Sequence, residues 1–221
     1  MIEDDTIKTL TMSPPPVLQF DGLHFSYPQH ALFTDLSASI PPGVTLVRGG
    51  DGSGKTTLLR LLAGALPADA GQLHIQGVSL ARQPLAYKQQ VFWADPRSDA
   101  FEQISPLAYV ESVRPQYPRF DALLLAHLVE GLSLAPFMDK PLYMLSTGSK
   151  RKVWLAAAFA SGAAVTLLDD PFAALDKTSI RFILELLEDA ADHPSRAWVV
   201  AAYEAPGKVP LAAIIELADR P

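Results

Sequence analysis

The chain has no cysteine among its 221 residues. That excludes disulfides and thiolate metal sites, and it agrees with a reducing compartment. No apolar run approaches the ~18 residues a membrane-crossing helix needs, and no signal-peptide pattern is present. Charged residues are scarce, at 19% against 49% hydrophobic, and their balance is acidic, with a formal net charge of −6 and a pI near 5.3. A deficit of positive charge argues against the electrostatic footprint of a nucleic-acid binder. So apolar a composition leaves no disordered bulk. The five histidines (His24, His30, His74, His127, His193) show no ligand spacing, so surface or locally satisfied roles are expected of them. There is no internal repeat. A length of 221 residues suits one large α/β domain with a substantial core.

Glycine, in contrast, is concentrated where it carries chemistry. Gly49-Gly50-Asp51-Gly52-Ser53-Gly54-Lys55-Thr56-Thr57 satisfies G-x-x-x-x-G-K-[ST], a phosphate-cradling loop. The glycines let the backbone curl so that successive N–H groups point at phosphate oxygens. Lys55 then reaches the β- and γ-phosphates, and the Thr56 hydroxyl holds Mg²⁺. A short β-branched strand, 43–48, precedes the loop. An apolar helix, 57–63, follows it and is ended by Gly64 and Pro67. Strand, loop and helix together support the motif, because the helix N-terminus adds its own positive dipole end.

Along the chain, residues 1–15 read as a flexible tail ending in a proline run. Strands are expected at about 17–20, 23–27 and 36–40, a β-hairpin arm at 72–77 and a buried strand at 91–93. From 96 to about 144 the pattern turns helical, with apolar residues at helical spacing over 121–132. A helix is expected from Ser146 to Ser161, an apolar strand at 164–168, a helix at 180–191, a strand at 197–202 and a last element at 212–217.

Leu167-Leu168-Asp169-Asp170 ends a buried strand with two carboxylates. A carboxylate there, near the phosphate loop, is where Mg²⁺ needs an oxygen ligand, a role for Asp169. Asp170 falls near the γ-phosphate, placed to orient a water. Adjacent aspartates also form plain turns, but Pro171-Phe172-Ala173-Ala174-Leu175-Asp176 argues against that reading here.

With these motifs in this order the chain resembles the ATP-binding cassette (ABC) ATPases, over about residues 17–217. Leu145-Ser146-Thr147-Gly148-Ser149 stands where the family's signature opens a helix, and Lys150-Arg151-Lys152-Val153-Trp154-Leu155 continues it. Ala174-Leu175-Asp176 matches the D-loop, and Tyr27 matches the aromatic that stacks on adenine. The resemblance implies a P-loop NTPase fold: a RecA-like α/β core with an antiparallel β arm and an inserted α-helical subdomain at about 97–160, all within a cassette spanning 16–221. It implies head-to-tail dimers, homo- or heterodimeric, with two Mg-ATP held between the phosphate loop of one chain and the signature, Ser146 and Gly148, of the other, and with Asp176 as a further nucleotide-binding residue. It also implies a separate transmembrane permease, with this chain cytoplasmic and peripheral on the inner face of the membrane, and no nucleic-acid partner. Tyr117-Pro118-Arg119-Phe120-Asp121 looks like small exporter-type cassettes, and 145–155 is similar to haem-exporter ATPases.

Four positions depart from the family pattern. The residue after the metal-binding aspartate, normally Glu, is Asp170. The Q-loop glutamine, which contributes to metal and catalysis, falls on Asp95. The switch histidine falls on Tyr203, and Thr147 and Ser149 replace Gly and Gln in the signature. Asp is shorter than Glu by about one C–C bond, and a misplacement of about 1 Å costs on the order of 100-fold in rate. Tyr203 can donate one hydrogen bond to a phosphate but carries no positive charge. ATP binding is therefore expected with slow hydrolysis. Three functions compete: the ATPase subunit of an ABC transporter, an ATP-sensing module that barely hydrolyses, and a soluble ABC protein. The transported substrate is not written in this chain.

Overall fold

The strands of this sequence form two separate sheets, one antiparallel and one parallel. The computed structural model describes residues 15–28, 30–95 and 98–218. The tail expected at 1–15 thus lies, apart from Pro15, outside the described residues, as do Pro96 and Arg97 at the expected edge of the helical segment.

The chain runs β1 (Leu18–Tyr27), β2 (His30–Ile40), β3 (Gly43–Arg48), α1 (Lys55–Leu62), β4 (Ala70–Ile75), β5 (Val78–Ser79), α2 (Pro84–Lys88) and β6 (Val91–Trp93). It continues through α3 (Pro106–Val113), α4 (Ala122–Gly131), α5 (Thr147–Ala160), β7 (Val165–Asp169), α6 (Lys177–Ala191), β8 (Ala197–Ala202) and β9 (Ala213–Glu216). The first sheet is antiparallel, in the order β2-β1-β4-β5, and the second is parallel, in the order β6-β7-β8-β3-β9.

Alternation assigns each core strand's side chains to a face. Val44, Leu46, Trp198, Val200 and Ala202 face α3, α4, α5 and α6 in one apolar cluster. Val47, Ala197, Val199 and Ala201 face α1 and the antiparallel sheet in the other. A parallel strand covered on both sides must be apolar throughout, which is why β8 has no exposed residue. Leu61 of α1 is fully buried in the second cluster. Leu61→Ala is expected to cost about 2–5 kcal/mol, read as a lower denaturant midpoint.

Helix starts follow local chemistry. Asp121 caps α4 by accepting from Leu124 N–H at 2.9 Å, and Asp176 caps α6 by accepting from Ser179 N–H at 2.9 Å. That cap starts α6 at Lys177, three residues before the position expected from apolar spacing. The strands expected at 17–20 and 23–27 are one strand: β1 passes Gly22 with a register shift between Phe20 and Leu23, a bulge that bends the strand without ending it. β2 likewise begins at His30, well before 36, because Leu32 and Phe33 are core residues.

Candidate nucleotide site

The loop between β3 and α1 lies at the C-terminal edge of the parallel sheet, where β7 and β8 also end. Gly54 turns the chain into α1 at φ +101°, a left-handed conformation that strains any residue with a Cβ, and an added Cβ would lie 2.9 Å from Phe33 Cζ. No side chain caps α1. Its first amides are therefore left for an anion, aided by the helix dipole. Lys55 Nζ donates to the carbonyls of Gly49 at 2.6 Å and Gly50 at 2.8 Å. These acceptors are neutral, so a phosphate oxygen competes well for the ammonium.

Thr56 Oγ1 donates to Asp169 Oδ2 at 2.7 Å, joining residues 113 positions apart in sequence. The two are hard oxygen ligands side by side, the donor chemistry Mg²⁺ takes. Among the described residues no group of three or more His, Asp or Glu could hold a metal. Thr56 and Asp169 would therefore hold Mg²⁺ only together with oxygen ligands from outside the protein, as a bound nucleotide would supply.

A cleft of about 540 Å³ opens over this pair, within the range of small-molecule sites. Tyr27, Asp51, Gly52, Gly54, Lys55, Thr56, Thr57, Asp169, Asp170 and Tyr203 line it, with His30, Leu32, Arg151 and Ala202. Gly49, Gly50 and the buried Ser53 form the loop behind. Tyr27 is 43% exposed at the rim. Its hydroxyl is 3.0 Å from Thr57 Oγ1, and its ring stands edge-on to Phe25 with centroids 5.0 Å apart. Asp170 sits at φ +44° with its side chain exposed and its backbone engaged on both sides. Its N–H donates to Ala201 O at 2.8 Å, and its carbonyl accepts from Ala173 N–H at 3.2 Å and from Arg151 Nη1.

Other expected site residues stand apart from the cleft. Asp95 lines a second cavity, of about 310 Å³, with Arg60, Trp93, Phe101, Tyr117 and Trp154. Ser146 caps α5, its exposed hydroxyl accepting from Ser149 N–H at 3.1 Å. Gly148 packs so closely on the 174 turn that an added Cβ would lie 2.3 Å from Ala174 O. Asp176 Oδ2 accepts from Lys152 Nζ at 2.7 Å and from Ser179 Oγ at 3.0 Å. The Lys152 ammonium, followed by the Ser179 N–H and O–H, holds the Asp176 carboxyl well below the usual carboxylate range.

Arg151 was not singled out from sequence, where it is one cation in Lys150-Arg151-Lys152. Successive helix residues point about 100° apart, so the run divides three ways. Lys150 takes Glu102, Arg151 takes the Asp170 carbonyl, and Lys152 takes Asp176.

A family model described as ABC transporter matches residues 33–173. The chain is 35% identical, over 167 residues, to the cytochrome c biogenesis ATP-binding export protein CcmA of Pseudomonas savastanoi pv. phaseolicola, covering 75% of this chain and 78% of that one. It is 30% identical to the protein of the same name from Nitrosococcus oceani, covering 86% of this chain and 88% of that one. Among solved structures, the ATP-binding subunit of an ABC transporter superposes with TM-score 0.74 at 20% identity, covering 85% of this chain and 79% of that one. A putative ABC transporter ATP-binding protein from Pyrococcus furiosus gives 0.72 at 22%, covering 90% and 96%. Motifs, fold and relatives agree: the chain belongs to the ABC transporter family, as an ATP-binding subunit with the family's ATPase activity.

Proposed function

We propose that this chain binds Mg-ATP in the cleft over Thr56 and Asp169 and hydrolyses it slowly, driving a separate membrane subunit from the cytoplasmic side. The observation that carries the reading is the Thr56–Asp169 hydrogen bond, which puts the phosphate loop and the β7 carboxylate at one point beside Lys55. In this reading the loop amides and Lys55 hold the phosphates, and Tyr27 supports adenine. Thr56 and Asp169 would hold Mg²⁺, which would supply charge neutralisation for phosphoryl transfer. Asp170 orients the attacking water, and Tyr203 stands where a hydrogen bond can reach the γ-phosphate. Residues 97–160 serve as the helical subdomain, and Ser146 with the first amides of α5 closes over the nucleotide of a second ATPase subunit. Among the described residues no helix is long and apolar enough to cross a membrane, consistent with a membrane partner on another chain. Because the relatives are cytochrome c biogenesis ATP-binding export proteins, export is the direction we propose, in the service of cytochrome c biogenesis.

Calorimetry with Mg-ATP tests the cleft. Lys55→Ala is expected to weaken triphosphate binding, by removing a charge-assisted contact worth about 1.5–3 kcal/mol. Tyr27→Ala is expected to weaken ATP and ADP alike, by about 1–3 kcal/mol by analogy with base stacking on aromatic platforms. Unchanged affinity in both variants refutes the site. An ATP-sensing role is favoured by one observation, Tyr203 at the cleft, 71% exposed where a histidine is the family's rule. A parent protein that binds Mg-ATP but releases no phosphate, alone or with its membrane partner, selects that reading.

A further inference from the structure

We infer that Arg151 is a positioning residue for hydrolysis, tying the signature helix α5 to the backbone carbonyl of Asp170 on the same chain and so aiming the Asp170 carboxylate. The inference rests on the reading of Asp170 as the group that orients water.

Four observations converge. Arg151 lines the nucleotide cleft although it rises from α5, whose capping residue Ser146 lies outside that cleft. Its Nη1 donates to the Asp170 carbonyl, while its Nε is buried and has no hydrogen-bond partner. Asp170 occupies the left-handed region at φ +44°, which Asp tolerates but does not prefer, so something must hold it there. The Asp170 N–H is fixed by Ala201 of β8, and its carbonyl, which accepts from Ala173 N–H at 3.2 Å within the turn, takes Arg151 as a second donor from another element. Anchored by Arg151, the carbonyl fixes the peptide plane and with it the direction in which the short Asp side chain leaves the backbone.

This anchor matters more for Asp than for a longer carboxylate. A side chain with one fewer methylene reaches only where its backbone aims it, and about 1 Å of error costs on the order of 100-fold. Hydrolysis here adds a water oxygen to the γ-phosphorus, breaks its bond to the β–γ bridging oxygen, and passes the water's proton toward Asp170. Arg151 touches none of these atoms. It acts through the Asp170 backbone. Because Arg151 and Ser146 share α5, a shift of the signature helix also shifts the carbonyl that Arg151 holds.

The test is Arg151→Gln, Arg151→Lys and the double variant with Asp170→Asn, measured for Mg-ATP affinity and for turnover. Arg151→Gln is expected to bind Mg-ATP within about twofold of the parent and to lose roughly 10-fold or more in kcat with KM unchanged, the signature of an interaction used only in the transition state. Arg151→Lys is expected to recover part of that loss, because an ammonium can still reach a carbonyl. In the Asp170→Asn background Arg151→Gln is expected to add nothing, since residues acting as one unit are not additive. Parent-like kcat in Arg151→Gln, or an equal further loss in the double variant, overturns the inference. Amide hydrogen exchange gives a readout independent of turnover: the Asp170 and Ala173 amides are expected to exchange faster in Arg151→Gln while α5 stays protected. Unchanged exchange there overturns the inference even in a parent that does not hydrolyse, and a parent without turnover but with the exchange difference defeats only the hydrolytic reading.

Discussion

Asp170→Asn is expected to lower ATP turnover by roughly 100-fold, the lower end of what a positioned general base contributes. The amide keeps the shape of the carboxylate but cannot accept a proton. Mg-ATP affinity is expected to hold, because in the proposed site the phosphate and metal contacts belong to Lys55, Thr56 and Asp169. Phosphate release under saturating Mg-ATP is the measurement. Activity equal to the parent removes Asp170 as the base and moves the reading toward ATP sensing. Asp170→Glu separates reach from chemistry. A faster enzyme shows that the carboxylate is limited by its length, since the extra methylene extends it toward the nucleotide. A parent turning over at roughly 1–100 s⁻¹, the range of efficient phosphoryl-transfer enzymes, would defeat the slow-ATPase proposal itself.

The second large effect concerns assembly. Ser146→Arg is expected to abolish Mg-ATP-dependent dimerisation. Ser146 is exposed at the N-cap of α5, where in the proposed dimer a small hydroxyl and the following amides receive the partner's nucleotide phosphate. An arginine there crowds that phosphate and forfeits the cap, which itself costs about 1 kcal/mol of helix stability. Net charge of −6 on each chain gives two copies little reason to associate until nucleotide bridges them. Sedimentation with and without Mg-ATP decides the matter. A dimer persisting undiminished in Ser146→Arg rules out the nucleotide sandwich, and thermal unfolding of the variant separates loss of the bridge from loss of fold.

What could be read before the structure, and what could not, divides along a physical line. The phosphate loop was legible because phosphate binding demands glycines, a lysine and a hydroxyl at fixed offsets within nine residues. Ser146 as a helix start was legible for the same reason, since a cap is a local event. Asp169 was legible from an apolar strand ending in a carboxylate. The exact use of Asp95 was not, because its surroundings depend on how the helices after β6 pack, and they place it in a cavity with Trp93 and Trp154. Arg151 was hidden among three consecutive cations, whose separate partners follow from helix phase and tertiary packing. The bulge at Gly22 looked like the end of a strand, because a glycine between two apolar stretches has the same pattern whether the ladder stops or shifts register.

The order of strands in the parallel sheet has a consequence for the chain as it is made. β3, which carries the phosphate loop, lies between β8 and β9, and among the described strands these two are the last to be synthesised. At ~5–20 residues per second, β3 waits on the order of ten seconds or more on the ribosome with neither neighbour available. Throughout that interval an apolar strand and a glycine-rich loop are held without a ladder, a stretch suited to chaperone capture. Nucleotide affinity then becomes a check on synthesis through β8 and β9: a product truncated before β8 has the whole phosphate-binding motif and lacks the strands that flank it.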